Sequence, residues 1–544
     1  MRLYTVLQLW VGLVALSCAD GVALPHQVAT KSLRHVTGTK RAGQASGSRS
    51  IFFFDQPIDH FTQTPRYAPH ENGTFKHRYR VEDTYYESGG PVFLYIVGEQ
   101  DIEDEFDPLD DVFIQKRFMQ TFHGIGIQLE TRGYGKSWPY NTSMTTDELR
   151  YLTTEQIIAD HEYFARNVPL PGVGDAERSK IPWIIFGASY PGALTAFTVK
   201  TYPDTFLGGI ASSALVNGQV DFPGYYDPVQ LLAPQDCVAS INDIVDNMDS
   251  LIRDNNDNAI QKLKVIFGLG AVKDIRDFAR AIAQPIGNPL FGPRATYQEL
   301  YWTGDFASDD FFDFCRNVTD VNAPSNITDV DYALSKYTNG VPWKNLGNYA
   351  AYFKRVYLPG CTSGDYNNAS RSCFGTQDPE FWADTAISVR RSYLYTTCTE
   401  MGFYQASYPW GTKSLVSRVV DVNYTQQWCS WAFPDGLYNH LPASPDVDSW
   451  NAYGGLNFSA KNLLFVDGSA DAWREATYHS TRAPPRYWHV SHLEHLISGG
   501  GHAWDFLARE NIDDEPQNIR EVHYLELRTI EGWLLEFARE QHQL

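Results

Sequence analysis

Two hydrophobic patterns alternate in the first part of the chain. Short continuous apolar runs are separated by stretches in which apolar residues recur at helical spacing. Such short runs are typical of strands buried on both faces, and their alternation with helices favours a mostly parallel sheet. The predicted strands are residues 92–97, 124–129, 183–186 and 208–212.

The pattern changes after about residue 216. Residues 238–267 and 272–283 have helical spacing, an apolar strand returns at 461–467, and a terminal helix is predicted at 522–539. We therefore predict an α/β core in two parts with a mainly helical cap inserted between them. The predicted boundaries are 51–216 and 446–544 for the core and 217–445 for the cap.

A serine lies in the turn between one predicted strand and the next helix. Residues 181–188 lead into Ser189, and the small-residue helix starts directly afterwards. On such a turn the serine hydroxyl lies above the sheet, and the N–H of Tyr190 faces a developing oxyanion. Pro191 stands at the second glycine of the G-x-S-x-G pattern and disfavours a helical conformation for Tyr190. From this motif alone, an ordinary loop serine stays an open alternative.

Two further residues complete the order Ser, Asp, His of an α/β-hydrolase. Asp471 follows the predicted strand at 461–467, and His502 follows a glycine run. We expect His502 to occupy a mobile, exposed loop from which its imidazole reaches Ser189. Asp467 is an alternative acid, and the alternative bases are His479, His489, His492 and His495.

These motifs, with others along the chain, resemble one peptidase family. The additional motifs, in family order, are FFDQPIDHF at 53–61, GEQDI at 98–102, ETRGYGKS at 130–137, ASSALV at 211–216 and TCTEMGFY at 397–404. The chain resembles the lysosomal Pro-X carboxypeptidase and dipeptidyl peptidase II family of serine peptidases. The resemblance implies an α/β-hydrolase core with a helical insertion, a Ser-Asp-His triad and cleavage after proline.

The chain departs from that family at Pro191, Thr131, Ala472 and the turn at 97–100. The last segment follows an apolar strand, so we expect Gln100 to supply a second oxyanion donor beside Tyr190. These differences bear on how substrate is placed and suggest a divergent member.

Substrate recognition is predicted from aromatic and acidic residues near these motifs. A proline ring requires a rigid apolar slot. Trp473 resembles the family's pocket tryptophan, and the cap offers Trp431, Phe403 and Tyr404, although each could simply be a core residue. Glu99 and Glu400 could hold a peptide terminus or pair structurally with Arg132.

The composition excludes several classes of partner. The chain has 65 acidic and 44 basic residues, a net charge of −21, which argues against nucleic acid or an anionic membrane. No metal-ligand cluster, dinucleotide motif or P-loop occurs in the sequence, so no cofactor is predicted. The expected partner is a peptide or protein substrate, and a homodimer stays open.

The N-terminus predicts export. Residues 1–19 read as a signal peptide, and 20–50 as a propeptide cut at Lys40-Arg41 or a flexible tail. Secretion is expected, with the lysosome or vacuole as the alternative. Cysteines after the signal are expected to pair as Cys361–Cys373, Cys237–Cys315 and Cys398–Cys429. Glycosylation sequons begin at Asn72, Asn141, Asn317, Asn326, Asn368, Asn423 and Asn457.

Together these features predict a serine peptidase that cleaves on the carboxyl side of proline, as an exopeptidase or an endopeptidase. Two alternatives stay open. One is a lipase or esterase on the same fold, and the other is a catalytically silent hydrolase fold that binds a ligand.

Overall fold

The computed structural model describes most of the chain after the predicted export segments. The described residues are 50–140, 143–174, 178, 180–287, 297–303, 308–361, 366–367, 374–487, 489 and 492–543. The predicted signal peptide and tail, Asn141, Asn368 and Cys373 lie outside them.

An eight-stranded sheet forms the centre of the molecule, in the order β1-β2-β4-β3-β5-β6-β9-β10. Strands β3 to β6, β9 and β10 pair in parallel, while β2 pairs antiparallel with both β1 and β4. The strands are β1 Phe52–Pro57, β2 Thr74–Glu82, β3 Val92–Ile96, β4 Ile125–Leu129, β5 Trp183–Ala188, β6 Gly208–Ser212, β7 Gln219–Asp221, β8 Gly402–Tyr404, β9 Leu463–Gly468 and β10 Leu493–Ile497.

The predicted strands are the central ones. Every residue of β3, β4, β6 and β9 is buried, because neighbouring strands and helices cover both faces. Strands β1, β2 and β10 were not predicted. They lie at the two edges of the sheet, where polar residues, and in β1 exposed phenylalanines, interrupt the apolar run.

Helices flank the sheet and build the segment between β6 and β9. They are α1 Ile114–Phe122, α2 Thr154–Asn167, α3 Tyr190–Thr201, α4 Asp227–Leu232, α5 Gln235–Arg253, α6 Asp257–Ile266, α7 Ile275–Ile282, α8 Asp310–Val318, α9 Ser325–Thr328, α10 Leu346–Val356, α11 Pro379–Ala383, α12 Val389–Thr396, α13 Val422–Ala432, α14 Val447–Asn451 and α15 Gln517–Gln543. The helical pattern at 238–267 is divided between α5 and α6, since Asn255 has a positive φ and Asn256 caps the second helix.

The segment between β6 and β9 is a mainly helical cap tied by disulfides. Cys237 in α5 is bonded to Cys315 in α8, and Cys398 to Cys429 in α13, as predicted. Cys361 is also disulfide-bonded, while Cys373 lies outside the described residues. A short parallel sheet of β7 and β8, which was not predicted, joins the start of the cap to the segment between α12 and α13. The architecture is an α/β-hydrolase core with a helical cap.

Candidate active site

Ser189 occupies a strained turn at the carboxyl end of the central strand β5. Its φ of 65° and ψ of −124° are rarely adopted by a residue with a side chain. Helix α3 begins at Tyr190, so the expected departure of Tyr190 from the helix does not occur, and Ser189 carries the unusual conformation. The Ser189 side chain is half-buried, and its N–H donates to the Ser212 carbonyl on β6 at 2.9 Å.

Two glycines let the helix pack tightly against this turn. A Cβ atom on Gly187 would lie 2.6 Å from the Pro191 carbonyl oxygen, and one on Gly192 would lie 2.6 Å from the Ser212 carbonyl oxygen. Side chains at these positions would push α3 away from β5 and β6. Gly192 thus provides the close approach at this turn, whereas Pro191 is accommodated in the first turn of the helix.

Asp471 and His502 are hydrogen-bonded to each other. His502 Nδ1 lies 2.9 Å from both carboxylate oxygens of Asp471. The backbone N–H of Trp473 donates to Asp471 Oδ1 at 2.8 Å and holds the carboxylate in place. Burial lowers the pKa of His502, but the charge and hydrogen bond of Asp471 outweigh this effect, so the pKa lies above its ordinary value. The pair therefore favours an imidazolium ion once the ring accepts a proton.

The prediction that His502 lies on an exposed loop is wrong. The residue is only 5% exposed, because its loop is packed between the end of β6 and the cap. The N–H of Ala503 donates to Ser213 Oγ at 3.0 Å, and Trp504 Nε1 donates to the Leu300 carbonyl at 2.6 Å. A glycine run therefore marks a tight loop here and not an exposed one.

Consecutive residues at the end of β6 join the serine and histidine loops. Ser212 accepts the N–H of Ser189, and Ser213 accepts the N–H of Ala503, next to His502. Strands β5, β6, β9 and β10 are adjacent and parallel, so the residues that follow them lie at one edge of the sheet. Ser189, Asp471 and His502 are thus brought to the same edge.

The alternative acid forms a separate pair with one alternative base. His479 Nδ1 lies 2.6 Å from Asp467 Oδ2, and the His479 N–H donates to the same oxygen at 3.1 Å. His495 lies in β10, where burial lowers its pKa. The rings of His489 and His492 lie next to each other with centroids 6.0 Å apart.

Trp473 belongs to an aromatic cluster beside Asp471. Its ring stacks on Phe222 with centroids 5.6 Å apart, and the edges of Tyr225 and Phe403 approach it at 5.2 and 5.7 Å. Trp473 Nε1 donates to Gln298 Oε1 at 2.8 Å, which fixes the indole. Phe222 and Tyr225 were not predicted, although an aromatic-rich FPGYY run at 222–226 marks them.

The other two aromatic candidates lie elsewhere in the cap. Tyr404 is buried, with its hydroxyl 3.2 Å from the Sγ of disulfide-bonded Cys429. Trp431 is half-buried in α13 and packs against the core. Within the described residues neither ring packs on a ring of the Trp473 cluster, although the Tyr404 carbonyl accepts the Phe222 N–H at 2.9 Å.

The acidic candidates differ in their surroundings. Glu400 accepts hydrogen bonds from the N–H and hydroxyl of Thr154, at 2.9 and 2.7 Å, and from Arg66. These contacts favour a structural role at the start of α2. The alternative pairing with Arg132 is wrong, because Arg132 is bonded to buried Asp160.

Glu99 and Gln100 form the turn after β3. Burial raises the pKa of Glu99, and the nearby positive charge of His502 partly opposes this rise. The Gln100 N–H donates to the Gly98 carbonyl at 2.8 Å, and its side chain donates to Glu105 at 2.7 Å. The Gln100 amide therefore already has an acceptor within the turn, whereas the Tyr190 N–H is the first of its helix and has no intrahelical acceptor.

A strained serine and an Asp–His pair at the same edge of an α/β sheet form the arrangement of a serine hydrolase. The model of one family, "Serine carboxypeptidase S28", matches residues 56–523. The chain belongs to the serine carboxypeptidase S28 family. It is therefore a serine-type peptidase, as the resemblance indicated.

Relatives of this S28 chain match it over most of its length. A probable extracellular serine carboxypeptidase of Arthroderma benhamiae is 29% identical, covering 95% of this chain and 72% of its own. The serine protease vicPa of Bipolaris victoriae is 30% identical, covering 90% and 89%. The lysosomal Pro-X carboxypeptidase of Bos taurus is 24% identical, covering 90% and 88%.

Two of the departures noted in the sequence lie next to the site of this S28 peptidase. Thr131 is buried, and its hydroxyl donates to the Val97 carbonyl at 2.6 Å, which ties the turn after β3 to the end of β4. Ala472 is buried between Asp471 and Trp473. Both changes thus adjust the backbone around the site.

The surface of the described chain agrees with a glycosylated protein. Asn72, Asn326, Asn423 and Asn457 are exposed, while Asn317 is half-buried and hydrogen-bonded within α8 and to Arg355. Among the helices of the described residues, none has the length and hydropathy of a membrane span.

Proposed function

We propose that this S28 peptidase cleaves peptides on the carboxyl side of proline through an acyl-enzyme formed on Ser189. The observation that carries the proposal is the pairing of His502 with both oxygens of Asp471 at the sheet edge where Ser189 is strained outward. A nucleophile, a base and an orienting acid are the three parts that this chemistry requires.

His502 acts first as a base and then as an acid. Asp471 binds Nδ1–H, which leaves Nε2 unprotonated to accept the Ser189 hydroxyl proton. Ser189 Oγ then forms a bond to the scissile carbonyl carbon. The imidazolium returns the proton to the departing amine, and water later releases the acyl group by the same route in reverse.

The oxyanion is held chiefly by the Tyr190 N–H at the start of α3. The helix dipole adds positive potential there. The Gln100 amide would contribute only if its bond to Gly98 opened as substrate bound. Loss of one such donor typically lowers turnover by about 10²–10³.

The Trp473 cluster supplies the slot for proline. Its rings are rigid and largely buried, and it adjoins the carboxylate that orients the base. A proline ring has no side-chain polar group to satisfy, so aromatic faces suit it. Glu99 lies near His502 and is the candidate for contact with a peptide terminus.

Secretion is the proposed destination, with the lysosome or vacuole as the alternative. Its support is the predicted signal peptide, the paired cysteines of the cap and an extracellular relative. The proposed partner is a peptide or protein substrate, and self-association stays a prediction.

Peptide hydrolysis and active-site labelling test the function together. Wild-type enzyme should release the segment after proline and react with a phosphonate probe, whereas Ser189→Ala should lose at least 10³-fold in kcat/KM and remain unlabelled. Ser250→Ala, on α5 of the cap and away from the site, is the matched control and should still be labelled. Acyl-ester hydrolysis without peptide hydrolysis would favour an esterase, and an unlabelled wild type would favour a silent fold.

A further inference from the structure

Asp505 lies three residues after His502 and is buried beneath the site. It belongs to a short 3₁₀ helix, Trp504–Phe506, and is 1% exposed. Its Oδ1 accepts a hydrogen bond from Ser212 Oγ at 2.6 Å. Ser212 in turn accepts the N–H of Ser189 through its backbone carbonyl. One residue of β6 therefore connects Asp505 to the backbone of the nucleophile.

The histidine loop is held at two points on β6. Ala503 bonds to Ser213, and Asp505 bonds to Ser212, one and three residues after His502. The imidazole is therefore presented by a loop whose anchors are consecutive residues of the strand that also supports Ser189. A small shift of this loop would change the distance between the base and the nucleophile, on which proton transfer depends.

The other side of Asp505 faces a second buried carboxyl. Asp505 Oδ2 and Glu526 Oε2 are both buried, and the two carboxyls share a hydrogen bond when one of them is protonated. Burial, followed by the neighbouring Asp505, raises the pKa of Glu526 well above its ordinary value. Two adjacent carboxyls in a dry site cannot both ionise readily, so the pair carries at most one negative charge.

The remaining charged groups around Asp505 lie on α15, on the loop before it, on α1 and at the end of β9. His523 on α15 donates through Nε2 to the Asp505 carbonyl at 2.9 Å and bonds Glu515 through Nδ1. Arg117 of α1 pairs with Glu515. Asp467 at the end of β9 adds negative potential.

Burial is the largest influence on Asp505 and raises its pKa to about 7; the bond from Ser212 and the charge of His502 oppose this rise. Because the positive imidazolium favours the ionised Asp505, the ionised Asp505 favours the imidazolium by the same free energy.

We propose that Asp505 is a positioning residue for His502, which fixes the histidine loop on β6 through Ser212 and whose negative charge favours the protonated imidazole. This role rests on the proposed function. Asp505 touches neither substrate nor the reacting atoms and acts only through His502.

The test is the pH profile of kcat/KM for a proline-containing peptide, together with the pH dependence of phosphonate labelling at Ser189. Both signals fall on the acid side of the pH profile, here called the acid limb, because the unprotonated imidazole is lost there. Asp505→Asn keeps an acceptor for Ser212 but removes the charge. We expect its acid limb to move to lower pH by about half a unit, with a smaller change in the plateau rate.

Glu526→Gln is the matched control, because it replaces a carboxyl that is already neutral. The acid limb of this variant should lie at the same pH as that of the wild type. Asp505→Asn in the Glu526→Gln background should still show the shift, which excludes transfer of the charge to Glu526. An unmoved limb in both Asp505→Asn variants, even with a uniformly lower rate, would overturn the proposal and leave Asp505 a structural tether.

Ser212→Ala covers the case in which Asp505→Asn does not fold. Losing the Ser212 hydroxyl makes ionisation of Asp505 harder, so the limb should move in the same direction by a smaller amount. An unmoved limb here also contradicts the proposal. Retained activity in Ser189→Ala would instead show that the proposed function itself is wrong, whatever the Asp505 variants do.

Discussion

At the scale of single residues, strain and close packing at Ser189 define the site. A residue with a side chain in this conformation costs on the order of 1–3 kcal/mol. Hydrogen bonding of its N–H to Ser212 and the tight contacts of Gly187 and Gly192 hold the turn in place. The strain keeps the hydroxyl outside the helix, where the base can reach it.

Replacing Ser189 by glycine should therefore stabilise the protein while abolishing activity. Glycine adopts positive φ without steric cost, so we expect Ser189→Gly to unfold with a free energy about 1 kcal/mol greater than that of Ser189→Ala. Alanine is the appropriate reference because it removes the hydroxyl and retains the strained Cβ. Equal melting temperatures for the two inactive variants would show that the turn stores no strain.

Sequence alone supplied the residues of the Asp–His pair but not their surroundings. Asp471 and His502 follow recognisable strand and glycine signals, so their order could be interpreted directly. Burial of His502 could not, because it depends on contacts from Ser213 and Leu300, which are distant in the chain. Asp505 ends the GGHAWD motif at 500–505, but that motif gives it no role, and only the fold places it against Ser212 and Glu526.

At the scale of elements, burial on both faces decided which strands could be predicted. The central parallel strands appear as apolar runs, whereas β1 and β2 at the sheet edge mix charges with aromatics. Strands β7 and β8 have three residues each, too few to give a pattern. Their pairing nevertheless brings Phe403 next to Phe222 and so helps to build the aromatic cluster.

The Cys398–Cys429 disulfide should support this cluster. It links the turn before β8 to α13, and Tyr404 packs on its sulfur. Replacing both cysteines by alanine should lower the free energy of unfolding by about 3 kcal/mol and raise KM more than it changes kcat, because Phe403 loses its support. Denaturant unfolding and peptide kinetics measure the two effects.

The Cys237–Cys315 pair provides the comparison for that experiment. Its loss should also destabilise the cap, since it closes a longer loop. Neither cysteine is adjacent in sequence to a residue of the aromatic cluster, so KM should change little. A similar rise in KM for both double variants would indicate general loosening of the cap.

At the scale of the whole molecule, buried neutral histidines make stability depend on pH. Burial lowers the pKa of His77 to about 4 and that of His161 to about 3. Below pH 6.5 the unfolded chain binds protons that the folded chain excludes. These residues therefore stabilise the fold fully above pH 6.5, and their contribution declines as the pH falls towards their folded pKa values.

Replacing His161 should make the fold less sensitive to acid. His161 lies in α2 and bonds Thr198 of α3 at 2.8 Å. The free energy of unfolding falls when the pH is lowered from 7 to 5. We expect this fall to be about 2 kcal/mol smaller in His161→Gln than in the wild type, as measured by denaturant titration at both pH values. The exposed His440 is the control, and His440→Gln should follow the wild-type dependence.

Strands β6 and β9 are neighbours, with Ser212 opposite Val466, although the entire cap separates them in the chain. The polypeptide thus leaves the core and re-enters it at one place. Since each doubling of such an excursion costs only about 0.6 kcal/mol in closure entropy, its length can vary at little cost. The cap, and with it the set of accepted peptides, can therefore change during evolution while the catalytic residues of the core stay the same. Replacing the cap by that of a related S28 peptidase is a direct way to alter peptide selectivity.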